Sequence, residues 1–248
     1  MIHKIKNVFA AVLMLAVLYP CFAIAETSEP KRITDEAQLS YVDTQGNSRL
    51  SSLLLVNTLK YTPLDYLIAT WNVEVLKTSQ DGVGTAERYT TFLRLDYLIS
   101  SRLYSFADVL WLQDEFANID DRYYLGAGLG YKILAGPTHI LNTEAGVNYT
   151  MDTYTTPDPD NNYLGGRIFG KYTYNFTAKN KFEQAVEYLH DFDNSENYNV
   201  NSDTSLTASI NSMLSLKTSY KVKYDNEPVG DAVYADRILA LTLVVNLL

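Results

Sequence analysis

The feature of this sequence that most restricts its fold is an alternation of apolar and polar side chains with a period of two. Along residues 214–224, one parity reads Leu-Leu-Thr-Tyr-Val-Tyr and the other reads Ser-Lys-Ser-Lys-Lys. Successive side chains of a β-strand point to opposite faces, so this pattern predicts a strand. The alternation recurs along the chain, and ionisable residues keep to one parity. An apolar outer face and a charged inner face are typical of a membrane-spanning barrel.

The first 25 residues have the composition of a secretory signal peptide. Lys4 and Lys6 form a positive n-region, residues 8–18 form an apolar core, and Ala23-Ile24-Ala25 is a small-residue cleavage site. We therefore expect residues 1–25 to be removed on export.

Two other interpretations of this segment stay open. A single transmembrane anchor needs about 20 apolar residues, whereas this run is shorter and is interrupted by Pro20. A lipoprotein would use Cys21, although the residues before it are bulkier than a lipidation signal requires. Cys21 is the one cysteine of the chain, so the exported protein is neither a disulfide scaffold nor a cysteine enzyme.

The mature chain is strongly acidic. Removing residues 1–25 takes away Lys4 and Lys6, which leaves 18 of the 20 basic residues against 29 acidic ones and a formal charge of −11. Phosphate binding requires the opposite sign, so nucleic acid is not an expected partner. No later segment is apolar for long enough to form a membrane helix, and a closed sheet is the other structure that satisfies its backbone in a membrane.

We predict an all-β fold, a transmembrane antiparallel up-and-down β-barrel of about 12 strands (10–14), over residues 37–248. Residues 26–36 are charged and without periodicity, and we expect them to form a flexible periplasmic lead. The predicted strands are about 37–43, 49–61, 66–78, 86–98, 103–114, 121–133, 138–151, 162–175, 180–190, 203–211, 213–224 and 236–248.

The predicted connections alternate in character along the chain. Tight turns are expected at 62–65, 100–101, 134–137, 176–179 and near 212, and longer polar loops at 43–48, 79–85, 115–120, 152–161, 191–202 and 225–235. Short periplasmic turns and long external loops are typical of outer-membrane barrels, and an even strand count places both termini in the periplasm. Tyrosines near strand ends predict the aromatic girdles of such a barrel; they are Tyr61, Tyr66, Tyr97, Tyr104, Tyr123, Tyr149, Tyr163, Tyr174 and Tyr224.

Charge parity indicates which side chains face the lumen, because a basic residue on the lipid face costs about 2–4 kcal/mol near the midplane. The predicted lumen-facing residues are Glu74, Arg88, Arg94, Asp96, Asp108, Arg122, Lys132, Glu144, Arg167, Lys171, Glu183, Glu187, Lys217, Lys221 and Lys223. Charges in a dry interior must be paired or hydrated. The lumen is therefore either a narrow, water-filled passage whose charges set selectivity or a closed ion-pair network in a structural barrel. Twelve strands are compatible with both.

Other motifs carry less functional information. The run Gly126-x-Gly128-x-Gly130 lies inside a strand, so it predicts gaps on the lumen side beside Arg122 and Lys132 rather than a nucleotide loop, which must open a helix. His190-Asp191 is the only candidate catalytic pair, and a hydrolase is the least favoured alternative. We expect a non-enzyme.

Two acidic loop motifs offer oxygen ligands for calcium or magnesium. They are Asp158-Pro159-Asp160 and Asp191-x-Asp193. Neither has the glycine spacing of a dedicated metal loop, so a hydrated acidic crown is the preferred interpretation. We expect no metal site and no cofactor.

Several short motifs recur in an order and spacing that indicate a family. They are Glu87-Arg88-Tyr89, Asp121-Arg122, Gly126-x-Gly128-x-Gly130-Tyr131, Gly136-Pro137, Glu144-Ala145-Gly146-Val147-x-Tyr149, Tyr224-Asp225-Asn226-Glu227-Pro228 and Asp236-Arg237. With them, residues 37–248 resemble the YdiY-like family of small proteobacterial outer-membrane proteins, described as salt-induced. One departure is the C-terminus, which ends Asn-Leu-Leu instead of on an aromatic residue.

The resemblance implies an outer-membrane barrel of a Gram-negative bacterium, but it implies no biochemical activity. The expected partners are outer-membrane lipid and lipopolysaccharide, the barrel-assembly machinery during insertion, and ions or small solutes. The most favoured function is a narrow, porin-like channel, with a role in the envelope response to osmotic or salt stress. The alternative is a closed structural barrel without transport.

Overall fold

The computed structural model describes residues 32–44, 50–156, 160–230 and 232–247, and within them it shows one closed antiparallel barrel of twelve strands. Each strand pairs with its neighbours in sequence, and the last pairs with the first. The strands are β1 (Ile33–Thr44), β2 (Leu50–Leu64), β3 (Leu67–Gln80), β4 (Val83–Leu98), β5 (Leu103–Asp114), β6 (Ile119–Ala135), β7 (His139–Tyr154), β8 (Asn161–Asn175), β9 (Lys181–Asp191), β10 (Tyr198–Ser209), β11 (Leu214–Asp225) and β12 (Ala235–Asn246). The predicted all-β, up-and-down architecture is confirmed.

The N-terminal predictions fall mostly outside this part of the chain. The predicted signal peptide, residues 1–25, lies outside the described residues, and so does the lead up to residue 31. β1 begins at Ile33 rather than at residue 37, so the end of the predicted lead belongs to the barrel. Among the described residues, no helix has the length and apolar character needed to cross a membrane.

The two ends of the barrel differ in their connections. At one end, here called the turn end, the links after the even-numbered strands from β2 to β10 have two to five residues. The other end, here called the loop end, carries longer links after β7, β9 and β11, the last of them residues 226–234. After β5, the link is residues 115–118 and contains a 3-10 helix at Glu115–Ala117, so it is shorter than the predicted loop 115–120. The predicted alternation of connections is therefore clear after β7, β9 and β11, and it has one plain exception.

The exception is the predicted loop 79–85, which is a two-residue hairpin turn. β3 and β4 pair as far as Gln80 and Val83, and the residues between them, Asp81 and Gly82, have φ values of 51° and 83°. Two central residues with positive φ form a type I′ turn, whose twist matches that of the flanking strands. The Asp-Gly dipeptide is the sequence signal for this turn.

The predicted turn 62–65 is also shorter than expected. β2 continues through Pro63 to Leu64, and its register with β3 shifts between Tyr61 and Leu64. Proline removes a hydrogen-bond donor from a strand, so it is tolerated at such an irregularity.

The outer wall of the barrel is apolar. Large side chains of one parity are exposed on it, for example Leu93 and Leu95 of β4 and Leu239 and Leu241 of β12. On a closed barrel, such a belt is the surface that contacts hydrocarbon. The protein is therefore an integral outer-membrane barrel.

Two tyrosines predicted for the girdle, Tyr104 and Tyr163, are not on this outer surface. Tyr163 has the strand parity of Arg167 on β8 and lies opposite Thr150, which is 2% exposed. Tyr104 is 6% exposed and its hydroxyl donates a hydrogen bond to the buried carboxylate of Glu144 at 2.8 Å. It faces the lumen because it shares the parity of Asp108 on β5.

The seam between β1 and β12 is the weakest junction of the barrel. Its ladder covers four residue pairs, from Glu36–Asn246 to Leu39–Leu243, whereas β1 and β2 pair over twelve. Toward the loop end, side chains that face the interior, Leu54, Leu76 and Ala240, pack into an apolar cluster beside this seam. Packing thus replaces part of the hydrogen-bonded ladder.

We expect engineered disulfides to map the end of this ladder. Cysteines at Gln38 and Val244 occupy a directly paired position and should cross-link on mild oxidation, because paired Cα atoms lie within disulfide range. Cysteines at Val42 and Ala240, beyond the last paired residues, should cross-link much less. Gel mobility without reductant measures both; equal cross-linking would mean that the strands pair along their full length.

Candidate functional site

The centre of the lumen contains an ion-pair network, here called the central cluster. Its members are Arg94 and Asp96 of β4, Asp108 of β5, Glu144 of β7, Arg167 of β8 and Glu187 of β9. The Glu144 carboxylate accepts from Arg94 at 2.7 Å and from Arg167 at 2.6 Å. Arg94 also contacts Asp96 at 2.8 Å and Asp108 at 3.9 Å, and Arg167 contacts Glu187 at 2.6 Å. Because β4 and β7 are not neighbours, the Arg94–Glu144 pair crosses part of the lumen.

Aromatic side chains support the two guanidinium groups of the central cluster. The Phe106 ring is buried, with the Arg94 guanidinium 4.3 Å and the Arg167 guanidinium 5.5 Å from its centroid. Arg167 also lies 4.8 Å from the Phe169 ring. Cation–π contacts of this kind stabilise guanidinium groups that have lost water.

Glycines of β6 make room for these side chains. Three glycines oppose three large β5 residues in the ladder, in the pairs Gly126–Asp108, Gly128–Phe106 and Gly130–Tyr104. A Cβ at each glycine would collide with the side chain of its partner. The predicted lumen-side gaps are confirmed, but side chains of β5 fill them, rather than Arg122 and Lys132.

A second network, here called the bridge cluster, consists of Glu74, Arg88, Asp114 and Lys221. Arg88 lies 3.4 Å from Glu74 and 3.5 Å from Asp114, and the Lys221 ammonium lies 3.0 Å from Glu74. The Lys221–Glu74 pair joins β11 to β3, which are separated by three strands in the ring. It is therefore a second ion pair across the lumen.

Three other predicted lumen residues form local ion pairs. Arg122 of β6 contacts Asp152 of β7 through two hydrogen bonds of 2.6 Å. Lys171 of β8 and Glu183 of β9 lie 2.8 Å apart. The predicted loop 152–161 includes Asp152, but this residue belongs to β7 and continues the parity of Glu144 along the strand.

The remaining predicted residues are Lys132, Lys217 and Lys223. Within the described part of the chain, none of them has a carboxylate oxygen within ion-pair distance. Lys217 and Lys223 share the strand parity of Lys221 on β11. They are candidates for hydrated charges along the lumen wall.

A cavity of about 880 Å³, here called the vestibule, extends from the loop end to the central cluster. Asn194, Asn197 and Glu227 line it at the loop end, and Asp108 and Arg167 line it at its inner end. Among the described residues, five basic ones contribute to its wall, namely Arg88, Arg122, Arg167, Lys221 and Lys223. Ten acidic residues do so, namely Glu74, Asp108, Asp114, Asp152, Asp160, Glu187, Asp203, Asp225, Glu227 and Asp236.

The structure does not bring together the candidate catalytic pair. His190 and Asp191 are successive residues of β9, so their side chains take opposite faces of the wall. His190 stacks on Tyr188 with 5.9 Å between ring centroids. The Asp191 carboxylate accepts from the backbone of Asp193 at 2.8 Å and from the Asn197 side chain at 3.0 Å.

The candidate metal ligands are likewise not assembled. Asp158 and Pro159 lie outside the described residues, and Asp191 is engaged within its own loop. In the described part of the chain, no three His, Cys, Asp or Glu side chains converge as a set of metal ligands.

Comparisons of sequence give two matches. A family model described as "Protein of unknown function, DUF481" matches residues 37–247. A relative from Escherichia coli (strain K12), "Uncharacterized protein YdiY", is 28% identical over 217 residues, which make up 87% of this chain and 84% of the relative.

Comparisons of structure give other barrels. The COG4313 outer membrane channel from Pseudomonas putida F1 superposes with a TM-score of 0.54 at 13% identity, covering 92% of this chain and 99% of that one. The translocator domain of the autotransporter NalP from Neisseria meningitidis gives 0.52 at 10% identity, covering 97% of both chains. The NanC porin gives 0.50 at 11% identity, covering 86% and 97%. At these identities the likeness is one of fold.

Proposed function

We propose that this chain, which belongs to the family described as "Protein of unknown function, DUF481", is a narrow outer-membrane channel for ions or small solutes. The observation that carries the proposal is the vestibule, which leads from the loop end to charged side chains deep in the lumen. A sealed structural barrel has no need of a charged cavity of this depth. With the loop end at the cell surface, as in other outer-membrane barrels, the vestibule opens to the outside.

The lumen charges give this passage its selectivity. Rings of charged side chains select ions by sign in pores that are narrow enough for each ion to meet them. The central cluster is such a narrow point, because its Arg94–Glu144 pair lies across the lumen at 2.7 Å. We infer that it is the constriction of the channel.

A second candidate function is a closed structural barrel. It is favoured by the two ion pairs across the lumen, Arg94–Glu144 and Lys221–Glu74. If these pairs stay formed, no ion passes and the networks serve to stiffen the wall.

Single-channel recording distinguishes the two functions. We expect the purified barrel to give small, ion-selective conductance steps in a planar bilayer. Changing Lys217, Lys221 and Lys223 together to glutamine should shift the reversal potential in a salt gradient toward cations, because three positive charges leave the passage. The matched control is Lys77→Gln, which removes a positive charge from a half-exposed ion pair with Glu87. It should leave the reversal potential unchanged.

The result that would remove the channel proposal is a barrel that inserts but passes no current at either polarity over a range of salt. A role in the envelope response to osmotic or salt stress stays a prediction from the sequence resemblance. Insertion by the barrel-assembly machinery also stays a prediction.

A further inference from the structure

The central cluster carries more negative than positive charge. It contains two guanidinium groups, Arg94 and Arg167, and four carboxylates, so its formal charge is −2. The side chains of Asp108 and Glu144 are 2% and 5% exposed. Unbalanced charge at such burial is costly, so something other than these six side chains must balance it.

Two oxygen atoms at the inner end of the vestibule lack partners. Among the described residues, neither Asp108 Oδ1 nor the Tyr124 hydroxyl has a hydrogen-bond partner, and both atoms are buried. The other carboxylate oxygen of Asp108 is the one that faces Arg94. Both residues line the vestibule.

These two oxygen atoms also converge on one place. Gly126 has no side chain, and the position that its Cβ would take lies 2.9 Å from the Tyr124 hydroxyl and in contact with Asp108 Oδ1. Because Gly126 has no side chain, a carboxylate oxygen and a hydroxyl oxygen can both lie close to its backbone, next to the charged cluster.

We propose that Asp108 and Tyr124 bind a monovalent cation, such as K⁺ or Na⁺, at the inner end of the vestibule. The cation offsets part of the excess negative charge of the central cluster and is held by the two oxygen atoms, with water completing its shell. Calcium would require six to eight oxygen ligands, which two side chains do not provide. This inference rests on the proposed channel function to the extent that the bound cation is an ion on its way through.

The vestibule assists such a site electrostatically. The described residues of its wall include ten acidic and five basic ones, and a cleft lined mainly by one sign of charge concentrates the opposite ion. A site with only two protein ligands releases its cation readily, as conduction requires. The channel is therefore selective for cations, and Asp108 is the residue that determines this.

Cation-dependent stability tests the site without any current. The unfolding temperature of the full-length barrel in detergent is compared in KCl, NaCl and N-methylglucamine chloride at equal ionic strength. We expect the unfolding temperature in K⁺ or Na⁺ to be about 2 °C higher than in N-methylglucamine, when the K⁺ or Na⁺ concentration is a few times its dissociation constant. Asp108→Asn should remove this difference, and Tyr124→Phe, which deletes only the hydroxyl, should reduce it.

The matched control is Asp65→Asn, which neutralises a carboxylate at the turn end, outside the vestibule lining, whose side chain is 93% exposed, and which should keep the difference. A difference that is absent in the wild type, or that persists in Asp108→Asn, would overturn the site. If Asp108→Asn does not fold, the Tyr124→Phe result decides.

Reversal potentials separate this inference from the proposed function. We expect Asp108→Asn to lower the cation-to-anion permeability ratio several-fold, and Asp65→Asn to leave it nearly unchanged. If the barrel conducts but its unfolding temperature does not depend on the cation, the proposed channel function stands and the cation site is refuted. If the barrel passes no current but K⁺ stabilises it in a manner that depends on Asp108, the channel function is refuted and the cation site stands.

Discussion

Replacing Arg94 by methionine should destabilise the folded barrel by about 3–5 kcal/mol, the usual cost of removing one partner from a buried ion pair. Arg94 contacts three carboxylates, those of Asp96, Asp108 and Glu144. Without it, the central cluster keeps four carboxylates and one guanidinium. Methionine is of similar length and lies well against the Phe106 ring, so the loss reports mainly on charge. Urea unfolding of the barrel in lipid vesicles measures it.

The control for this prediction lies on a half-exposed ion pair. Lys77 and Glu87 are 2.9 Å apart, and their side chains are 49% and 38% exposed. Lys77→Met should therefore cost less than about 1 kcal/mol. A similar loss in Lys77→Met and Arg94→Met would contradict the assignment of the central cluster as a buried ion-pair network.

A double-mutant cycle adds a second check. If excess negative charge is what destabilises Arg94→Met, then adding Glu144→Gln to that variant should recover part of the loss, because it removes one of the unbalanced carboxylates. Residues in one network show coupling energies of about 0.5–3 kcal/mol. Strictly additive effects would mean that Arg94 and Glu144 act independently.

The fold could be predicted from the sequence because a barrel wall is a periodic object. The side chains of a strand alternate between two faces, so a charged residue on the wrong face of the barrel would lie in lipid. The chain avoids such misplaced charges over most of its length. Segments such as 214–224, where apolar and basic residues alternate strictly, predicted β11 almost to the residue. Closure of the ring then follows, because an open sheet edge is not tolerated in hydrocarbon.

The ends of the strands were harder to predict, since the signals there are local. The Asp81-Gly82 hairpin lies in a segment whose polar flanking residues predict a long loop. Pro63 predicts a turn, although a shift of register at the end of β2 accommodates it within the strand. In both places the detailed turn geometry decided the outcome, and composition alone does not specify it.

The sequence predicts which side chains of the candidate site face the lumen, but it does not predict which of them pair with each other. Parity places Arg94 and Glu144 on the inside of the wall, yet they are 50 positions apart in the sequence and no signal between them indicates that they meet. Which inward side chains face each other depends on the stagger of the strands around the ring, and that is a property of the whole barrel. The pairs across the lumen therefore emerge only from the three-dimensional structure.

The same limitation explains the residues that were missed. Asp152 and Asp114 close ion pairs at the loop ends of β7 and β5, where the predicted strands were cut short or their parity was ambiguous. Tyr104 and Phe106 resemble lipid-facing aromatics in the sequence, but they lie opposite Gly130 and Gly128. Large residues opposite glycines would have been a usable signal once the register of β5 and β6 was known.

Gly128→Ala should cost about 3 kcal/mol, the upper end of the usual range for overpacking. A Cβ at this position would meet the backbone of Ala145 and Gly146 on the neighbouring strand as well as the Phe106 ring. A side chain can rotate away from a new methyl group, but backbone held in a ladder cannot. The expected result is a smaller folded fraction, measured by the heat-dependent gel mobility of the inserted barrel and by urea unfolding.

Gly170→Ala is the matched control, because it makes the same substitution within another strand, β8. In the part of the chain that the structure describes, no atom beyond the adjacent residues lies within 4 Å of the position that its Cβ would take. Alanine also restricts the unfolded chain more than glycine does. Gly170→Ala should therefore be neutral or stabilise the barrel by about 0.4–1 kcal/mol. Opposite signs for the two substitutions would show that Gly128 is required by the close approach of β6, β7 and Phe106. If both variants folded equally well, the packing around Gly128 and the Phe106 ring would be looser than the geometry indicates.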